Sequence, residues 1–190
     1  MTALVIPAAE HLTDYVAALE QGWSPNNLRP EAAGEQLKKI AADPKSFLDG
    51  LQDPHGAGAP VMLPDGSRVP RLPSLRRWIW ADGFCGTIGL RWTPGTADMP
   101  PTASGHIGYA IVPHRRREGH ATAALRAILP LARAVGLPHL DITTDANNHA
   151  SIGVMKGAGA IFVKRYQKHP ALGVGDEVLY RIDLSSKAED

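Results

Sequence analysis

The chain has 190 residues, of which 44% are hydrophobic and 21% are charged, and both values lie near the average of soluble globular proteins. This length favours a single domain of ordinary size. Twenty Lys and Arg side chains against 19 Asp and Glu give a formal net charge of +1, which argues against a global field for nucleic acid or for an anionic membrane surface. Any basic binding site must therefore be local.

A single cysteine, Cys85, excludes an intramolecular disulfide framework and a cysteine-based structural zinc site. His114, His120 and His149 follow no metal-ligand spacing, so we expect no bound metal. The first residues lack the basic and apolar regions of a secretory signal, and no run reaches the roughly 18 apolar residues of a membrane span. We expect a cytoplasmic protein with no membrane partner and no nucleic-acid partner.

The N-terminal part is expected to be mainly helical. An apolar run at residues 4–6 predicts a short strand, and apolar residues at helical spacing predict helices over residues 8–19 and from Pro30 onward. Residues 53–73 contain five prolines and an Asp65-Gly66 turn signal. This stretch predicts a long loop with a small hairpin, which is either a lid or wall for a substrate or a disordered segment.

The rest of the chain alternates strands with helices. Strands are predicted at residues 77–81, 85–92, 106–112, 140–143, 160–166 and 177–184, and helices at residues 119–135 and 148–157. Asp82-Gly83 joins the first two strands as a hairpin that carries Trp78 and Trp80 on one face. Pro130 is expected to kink the first of these helices.

This order predicts a mixed α/β (α+β) fold, with a central, mixed, mostly antiparallel twisted sheet and helices on both faces. One strand–helix–strand crossover lies between residues 106 and 143. We divide the single domain, residues 1–190, into a helical N-terminal part (1–52), a Pro/Gly-rich loop (53–73) and a core (76–184).

A candidate anion site follows the central strand. Residues 115–117 are three consecutive arginines, and the small residues Gly119 and Ala121 then open a helix. The first N–H groups of a helix have no internal partner and carry partial positive charge, so a phosphate can accept several of them at once. The arginines can add charge-assisted contacts.

The same turn resembles the pyrophosphate loop of the GNAT superfamily of N-acetyltransferases. Arg116, Gly119 and Ala121 fit the family pattern of Arg or Gln, two residues, Gly, one residue, and Gly or Ala. Residues 105–113 are similar to the preceding strand of that family, and Asn148 with Ser151 is similar to its Asn-x-x-Ser/Ala helix start. The resemblance covers residues 76–184 and looks closest to an uncharacterised bacterial group of predicted acetyltransferases that share a Gly-His-Ile-Gly-Tyr strand.

The resemblance implies a GNAT-like fold and coenzyme A, as acetyl-CoA, for the cofactor. It places cofactor contacts on Ile111, Val112, Arg116, Arg117, Gly119, His120, Ala121, Thr122, Asn148 and Ser151. Among these, the pyrophosphate contacts are expected at backbone N–H groups of the turn, and the pantetheine arm is expected to pair with the backbone of Ile111 and Val112. Asn148 and Ser151 also suit a simple helix cap, and one residue can serve both purposes.

Two residues are candidates for catalysis. His106 stands where many family members carry a Glu that acts as general base, and an imidazole can accept a proton at neutral pH. Its alternative role is packing. Tyr109 lies three residues further on, hence on the opposite face of an ideal strand, where it could equally belong to the core. Met155 stands where many relatives place a Tyr that protonates the leaving thiolate, and methionine cannot donate a proton.

The resemblance implies transfer of an acetyl group from acetyl-CoA to a primary amine of a small molecule or protein, by direct attack in a ternary complex. A homodimer is possible. The alternative is a CoA-binding module with little or no turnover, which is motivated by Met155 and by the missing strand Glu. Acceptor residues in this superfamily lie on the N-terminal helices and loops, where this sequence is least diagnostic.

Overall fold

The computed structural model describes residues 1–27 and 29–185. In chain order the elements are β1 (Ala3–Val5), α1 (Leu12–Glu20), α2 (Ala32–Ala42), α3 (Pro44–Asp49), β2 (Gln52–Asp53), β3 (Val61–Met62), β4 (Arg68–Val69), β5 (Ser74–Trp80), β6 (Phe84–Arg91), β7 (Ile107–Ile111), α4 (His120–Ala127), α5 (Leu129–Ala134), β8 (His139–Asp145), α6 (His149–Gly157), β9 (Ile161–Gln167) and β10 (Asp176–Asp183). Short 3-10 turns occur at Ala9–His11, Pro113–Arg115 and Pro170–Leu172.

The strands form two main antiparallel sheets. The first has the order β1-β5-β6-β7, with β2 also paired to β5, and the second has the order β8-β10-β9. No ladder joins β7 to β8 within the described part of the chain. The predicted mixed α/β fold with mostly antiparallel strands is therefore confirmed, while its single central sheet is divided between β7 and β8.

Each face of the first sheet carries its own hydrophobic core. One core contains Ile79, Ile88, Leu125 and Met155 and lies between the strands and the helices α4 to α6. The other lies under α1 to α3, where the ring of Tyr15 stacks on that of the fully buried Trp78 with centroids 4.5 Å apart. Alternation along the strands sends successive side chains to opposite cores, so residues of β7 contribute to both.

Most predicted elements are present, with small shifts of boundary. Asp65-Gly66 turns between β3 and β4, so the loop of residues 53–73 does contain the predicted hairpin. The predicted long helix is two helices, α4 and α5, because Pro130 has no N–H and stands in the first turn of α5. No helix among the described residues is long and apolar enough to cross a membrane.

Candidate functional site

The separation of the two sheets begins at a close contact between His106 and Asp141. The His106 N–H donates to the Asp141 carbonyl at 2.7 Å, and the Asp141 N–H donates to His106 Nδ1 at 2.9 Å. Gly105 permits this approach, because a Cβ there would lie 2.6 Å from the Asp141 carbonyl oxygen and φ is +68°. Beyond this contact, β6 is the only strand of the described chain that pairs with β7. The other edge of β7 borders an opening between the sheets.

The register of β7 shows which backbone groups face this opening. Val112 donates its N–H to Cys85 of β6, so alternate residues of β7 bond to β6 and the others, including Tyr109 and Ile111, turn their backbone groups away from it. The carbonyl of Tyr109 accepts from Asn27 Nδ2 at 3.1 Å. That of Ile111 accepts from Arg116 Nε, also at 3.1 Å. The edge of β7 thus already attracts polar groups.

This register corrects one of the two predicted pantetheine contacts. Ile111 presents its backbone to the opening, as the prediction requires. Val112 does not, because its N–H donates to the Cys85 carbonyl and its carbonyl accepts from the Arg115 N–H, both at 3.0 Å. On this edge Tyr109, two residues from Ile111, takes the place that the sequence assigned to Val112.

The turn between β7 and α4 presents six consecutive free N–H groups, those of residues 117 to 122. None of them donates to a backbone or side-chain acceptor in the described structure. The chain achieves this with two left-handed residues, Arg117 at φ +68° and Gly119 at φ +84°. No described residue lies within 4 Å of a Cβ built on Gly119. Such a concave row of N–H groups at a helix start is suited to a phosphate or pyrophosphate.

The side chains of Arg115, Glu118 and His120 hold this turn in place. Glu118 accepts from Arg115 Nε at 3.1 Å and lies 3.0 Å from His120 Nε2, and the bond to His120 is the main cause that lowers the pKa of Glu118. His120 is buried and its Nδ1 bonds to the Thr2 hydroxyl of the loop before β1 at 2.8 Å. Arg115 also donates to the Ala81 carbonyl at 2.9 Å. His120 can therefore offer a ligand only its backbone N–H, because both nitrogens of its ring are used to anchor the turn.

The remaining arginines of the turn are exposed. Arg116 uses its Nε for the Ile111 carbonyl, and Arg117 forms no side-chain hydrogen bond or ion pair with another described residue. Their contact with a phosphate stays a prediction. A signal for the anchoring residues was available in the i, i+3 spacing of Arg115 and Glu118, which allows an ion pair.

Across the opening, the first turn of α6 holds a hydroxyl pair. Asn148 Oδ1 accepts the Ser151 N–H at 3.1 Å and caps the helix. The Ser151 hydroxyl shares a hydrogen bond of 2.7 Å with the Tyr109 hydroxyl of β7. Tyr109 thus reaches from one sheet to the helix of the other. Burial raises the pKa of Tyr109, so its hydroxyl stays protonated at neutral pH.

The ring of His106 is fully buried. A neutral imidazole has one lone pair, which here accepts the Asp141 N–H at Nδ1, so Nε2 carries the proton. Nε2 has no hydrogen-bond partner among the described residues, and burial lowers the pKa of His106. Because the accepting nitrogen is occupied, this arrangement favours the alternative packing role of His106 over that of a general base. The side chain instead joins β7 to β8.

Met155 occupies a fully buried position in the core beneath α6. It packs among apolar side chains and presents no polar group to the opening. As the sequence indicates, position 155 therefore supplies no proton donor. Tyr109 brings a hydroxyl from β7 to the first turn of this helix, where it lies 2.7 Å from the Ser151 hydroxyl.

Comparison with known proteins places this geometry in a family. Residues 68–161 match the family model of the GNAT acetyltransferase domain. The chain belongs to the GNAT superfamily. The matched range includes β7, the phosphate-binding turn and α6, which are the elements that carry the candidate site. No curated protein was found to match the chain.

Solved structures share the fold of this GNAT chain at low sequence identity. The Microcin C7 self-immunity acetyltransferase MccE, solved with acetyl-CoA and AMP, has a TM-score of 0.65 and 14% identity, with 96% of this chain and 92% of that chain covered. Mycobacterium smegmatis RimJ, solved with CoA-disulfide, has a TM-score of 0.63 and 19% identity, with 96% and 81% covered. RimL, a ribosomal L7/L12 alpha-N-protein acetyltransferase solved with coenzyme A, has a TM-score of 0.61 and 12% identity, with 98% and 96% covered.

Proposed function

We propose that this protein transfers an acetyl group from acetyl-CoA to a primary amine of a small molecule or protein. The observation that supports this most directly is the row of six free N–H groups at residues 117 to 122, which continues into the open edge of β7. A pyrophosphate at the turn and an extended amide-containing arm along β7 would each find unpaired backbone N–H groups. The GNAT family match supports the same cofactor.

Acetyl-CoA supplies a thioester as acyl donor. In the transfer, the amine nitrogen forms a bond to the thioester carbon, the C–S bond breaks, the amine loses a proton and the thiolate gains one. We propose that N–H groups on the free edge of β7, at Tyr109 and Ile111, orient the donor and can stabilise negative charge that develops on the carbonyl oxygen. Holding the amine beside this edge supplies much of the remaining acceleration.

We propose that Tyr109 protonates the departing thiolate. Its hydroxyl lies at the opening between β7 and α6, and the Ser151 hydroxyl can donate to it as it loses its proton. The raised pKa of Tyr109 keeps it a proton donor at neutral pH. This role compensates for Met155, which cannot donate. We assign His106 a positioning role and propose that the amine loses its proton to water.

Acceptor access is proposed on the side of the α1–α2 connection. Two cavities of about 210 Å³ each lie there against Pro113 and Trp23, one beside α1 and the other beside Asn27 and Arg116. Each is smaller than a typical ligand site of roughly 300 Å³ or more. RimL and the aminoglycoside acetyltransferase AAC(6')-Ib have different acceptors by their names, so the fold is compatible with either class.

We also propose a cytoplasmic location and a homodimer. The only cysteine of the chain, Cys85, is buried and free, as expected in a reducing compartment. The edge strand β9 exposes Ile161, Phe162 and Val163 on both of its faces. An antiparallel pairing of two such edges would cover them. Sedimentation equilibrium of the protein and of Phe162→Lys tests this, and a wild-type monomer would exclude it.

The activity is tested by incubating pure protein with acetyl-CoA and a broad panel of primary amines while free thiol is measured. We expect amine-dependent thiol release and an acetylated product by mass spectrometry. Calorimetric titration with coenzyme A is run in parallel. Micromolar binding without thiol release for any amine would instead support a CoA-binding module that does not turn over.

A further inference from the structure

The face of the first sheet that lies under α1 to α3 contains a trough floored by glycine. Arg76 of β5, Gly89 of β6 and Gly108 of β7 are direct cross-strand partners, and such partners share one face. Gly108 is exposed to solvent. Its strand, β7, pairs with β6 on one edge and borders the opening on the other. Within residues 1–27 and 29–185, nothing lies within 4 Å of a Cβ built on Gly108. The helical layer therefore leaves this part of the sheet uncovered.

The guanidinium group of Arg76 lies along this trough. Its Cζ and Nη2 atoms are each 3.8 Å from the position that a Cβ on Gly89 would occupy. Its one hydrogen bond in the described structure is a long contact of 3.5 Å from Nη1 to the Thr87 hydroxyl. No carboxylate among residues 1–27 and 29–185 forms an ion pair with Arg76. A half-buried guanidinium that lacks an anion costs free energy unless a ligand supplies one.

The neighbouring charges reinforce the positive field. Arg91, the cross-strand neighbour of Ser74 on the same face, donates through Nε and Nη2 to the carbonyls of Gly105 and Ser104 at 2.7 Å each. Burial and the nearby Arg76 lower the pKa of Arg91 to about 10. Burial is also the main cause that lowers the pKa of Arg76. Two adjacent cations thus face the trough. The Glu177 carboxylate is near enough to Arg91 to oppose the lowering of its pKa, but it forms no ion pair with either cation in the described structure.

The trough runs toward the free edge of β7, where the acyl transfer is proposed to take place. Gly108 precedes Tyr109, whose backbone faces the opening where the thioester is proposed to lie. Adjacent strands are about 4.8 Å apart, so the guanidinium over Gly89 lies about two strand spacings, roughly 10 Å, from that opening. A molecule with an amine at one end and an anion at the other would span this distance.

We propose that the acceptor is an amine that carries an oxyanion, either a carboxylate or a phosphate, and that Arg76 binds this oxyanion above Gly89 and Gly108. This inference rests on the proposed acetyl transfer and specifies its substrate class. Arg91 adds to the field and holds the loop before β7. The glycines keep this row open. A Cβ on Gly89 would already contact the guanidinium at 3.8 Å, and a longer side chain there or on Gly108 would fill the space between the guanidinium and β7.

Matched amines test the inference. The wild-type kcat/KM is measured for 6-aminohexanoate against its neutral amide, and for 5-aminopentyl phosphate against 5-aminopentanol. We expect one oxyanion of the two to raise kcat/KM by about tenfold to a hundredfold, as hydrogen bonds to charged groups do. The pair that responds identifies the carboxylate or the phosphate. Equal values within both pairs would overturn the inference, whether or not turnover is fast.

In the variant Arg76→Gln, the ratio of kcat/KM for the preferred anionic amine to kcat/KM for its neutral partner should fall to about one. Gly108→Val should raise the KM of the anionic amine about tenfold. Arg77→Gln is the matched control, because Arg77 is the next residue of β5 and its guanidinium donates to Gln52 instead. The ratio should not change in this control. An unchanged ratio in Arg76→Gln would overturn the inference.

Equilibrium binding separates this inference from the proposed function. The CoA-loaded protein is titrated with 6-aminohexanoate, 5-aminopentyl phosphate and their neutral partners. Binding that requires the oxyanion and is lost in Arg76→Gln would support the anion site even if no amine released thiol, in which case only the proposed transfer fails. Turnover of neutral and anionic amines with equal efficiency would sustain the transfer and reject the anion site.

Discussion

His106 and Asp141 exchange two hydrogen bonds at the point where β7 and β8 separate, one between their backbones and one from the Asp141 N–H to the imidazole. The pair therefore closes the inner end of the opening into which the acyl donor is proposed to enter. A residue that suits a general base by its chemistry is here used as a hydrogen-bond acceptor that fixes the angle between two sheets.

The first prediction concerns the cost of breaking this pair. His106→Ala leaves the Asp141 N–H without its partner and opens a cavity, so we expect a loss of roughly 2 to 4 kcal/mol in the free energy of unfolding. His106→Asn places an amide oxygen near the position of Nδ1 and should recover part of that loss. Urea denaturation of the three proteins measures this. Equal stability of the Ala and Asn variants would contradict the acceptor role.

The same pair predicts how stability depends on pH. Burial, assisted by His139 and Arg91 and opposed by the Asp141 carboxylate, lowers the pKa of His106 in the folded state. The unfolded chain then binds more protons, so the contribution of His106 is present above its ordinary pKa of about 6.5 and is lost as the pH falls. The melting temperature of the wild type should drop more between about pH 7.5 and 5.5 than that of His106→Asn, which cannot titrate there. Parallel curves would exclude this effect.

Local signals in the sequence were sufficient for most of the fold and for the phosphate-binding turn. The hairpin at Asp82-Gly83 and the strand-to-helix turn at Gly119 depend on residues within a few positions of each other. The division between β7 and β8 does not depend on such local residues. It depends on β8 pairing with β10, whose residues follow some forty positions later in the chain, and strand pairing of this kind leaves no local pattern.

The same physical reason explains why the roles of single residues could not be assigned from the sequence. The lone pair of His106 is occupied by a group 35 positions away, at Asp141, so its chemistry could not be assigned from β7 alone. Val112 differs from Ile111 only in the direction of its backbone groups, which the register with β6 decides. Arg76 and Gly108 were not recognised as a site because they lie on different strands and become neighbours only in the sheet.

The second group of variants tests Tyr109 as proton donor. Tyr109→Phe removes the hydroxyl but keeps the ring, so we expect kcat to fall by about a hundredfold, within the range for general acid catalysis. Coenzyme A affinity should change little, since the proposed pantetheine contacts of this residue are made by its backbone. Because burial raises the pKa of Tyr109, wild-type activity should not show a deprotonation limb below about pH 10.

Ser151→Ala provides the matching test of the hydroxyl pair. Ser151 supports Tyr109 through the 2.7 Å hydrogen bond, so its removal should lower kcat by less than Tyr109→Phe does. The double variant should be no slower than Tyr109→Phe alone, because the second hydroxyl acts only through the first. Additive losses in the double variant would show that the two hydroxyls act independently.

Asn148 separates a structural role from a cofactor role. Its Oδ1 caps α6 through the Ser151 N–H, and Ser is an equally good cap. Asn148→Ala should cost about 1 kcal/mol in unfolding free energy, and Asn148→Ser should cost much less. If the amide also binds coenzyme A, both variants lose affinity to a similar extent. Wild-type affinity in Asn148→Ser would show that Asn148 only caps the helix.

Gly119 and Gly136 give a matched pair for the phosphate-binding turn. Both have left-handed backbones, at φ +84° and +85°, and in the described part of the chain nothing lies within 4 Å of a Cβ built on either. Replacing each with Glu should therefore destabilise the protein by a similar amount, about 1 to 2 kcal/mol. Only Gly119→Glu places a side chain and a negative charge in front of the six N–H groups at residues 117 to 122. We expect its affinity for coenzyme A to fall at least about a hundredfold, because several charge-assisted hydrogen bonds are lost.

Gly136→Glu, at the end of α5, should bind coenzyme A as the wild type does. Calorimetric titration and thermal melting of both variants measure the two effects separately, and equal affinities in the pair would place the pyrophosphate elsewhere.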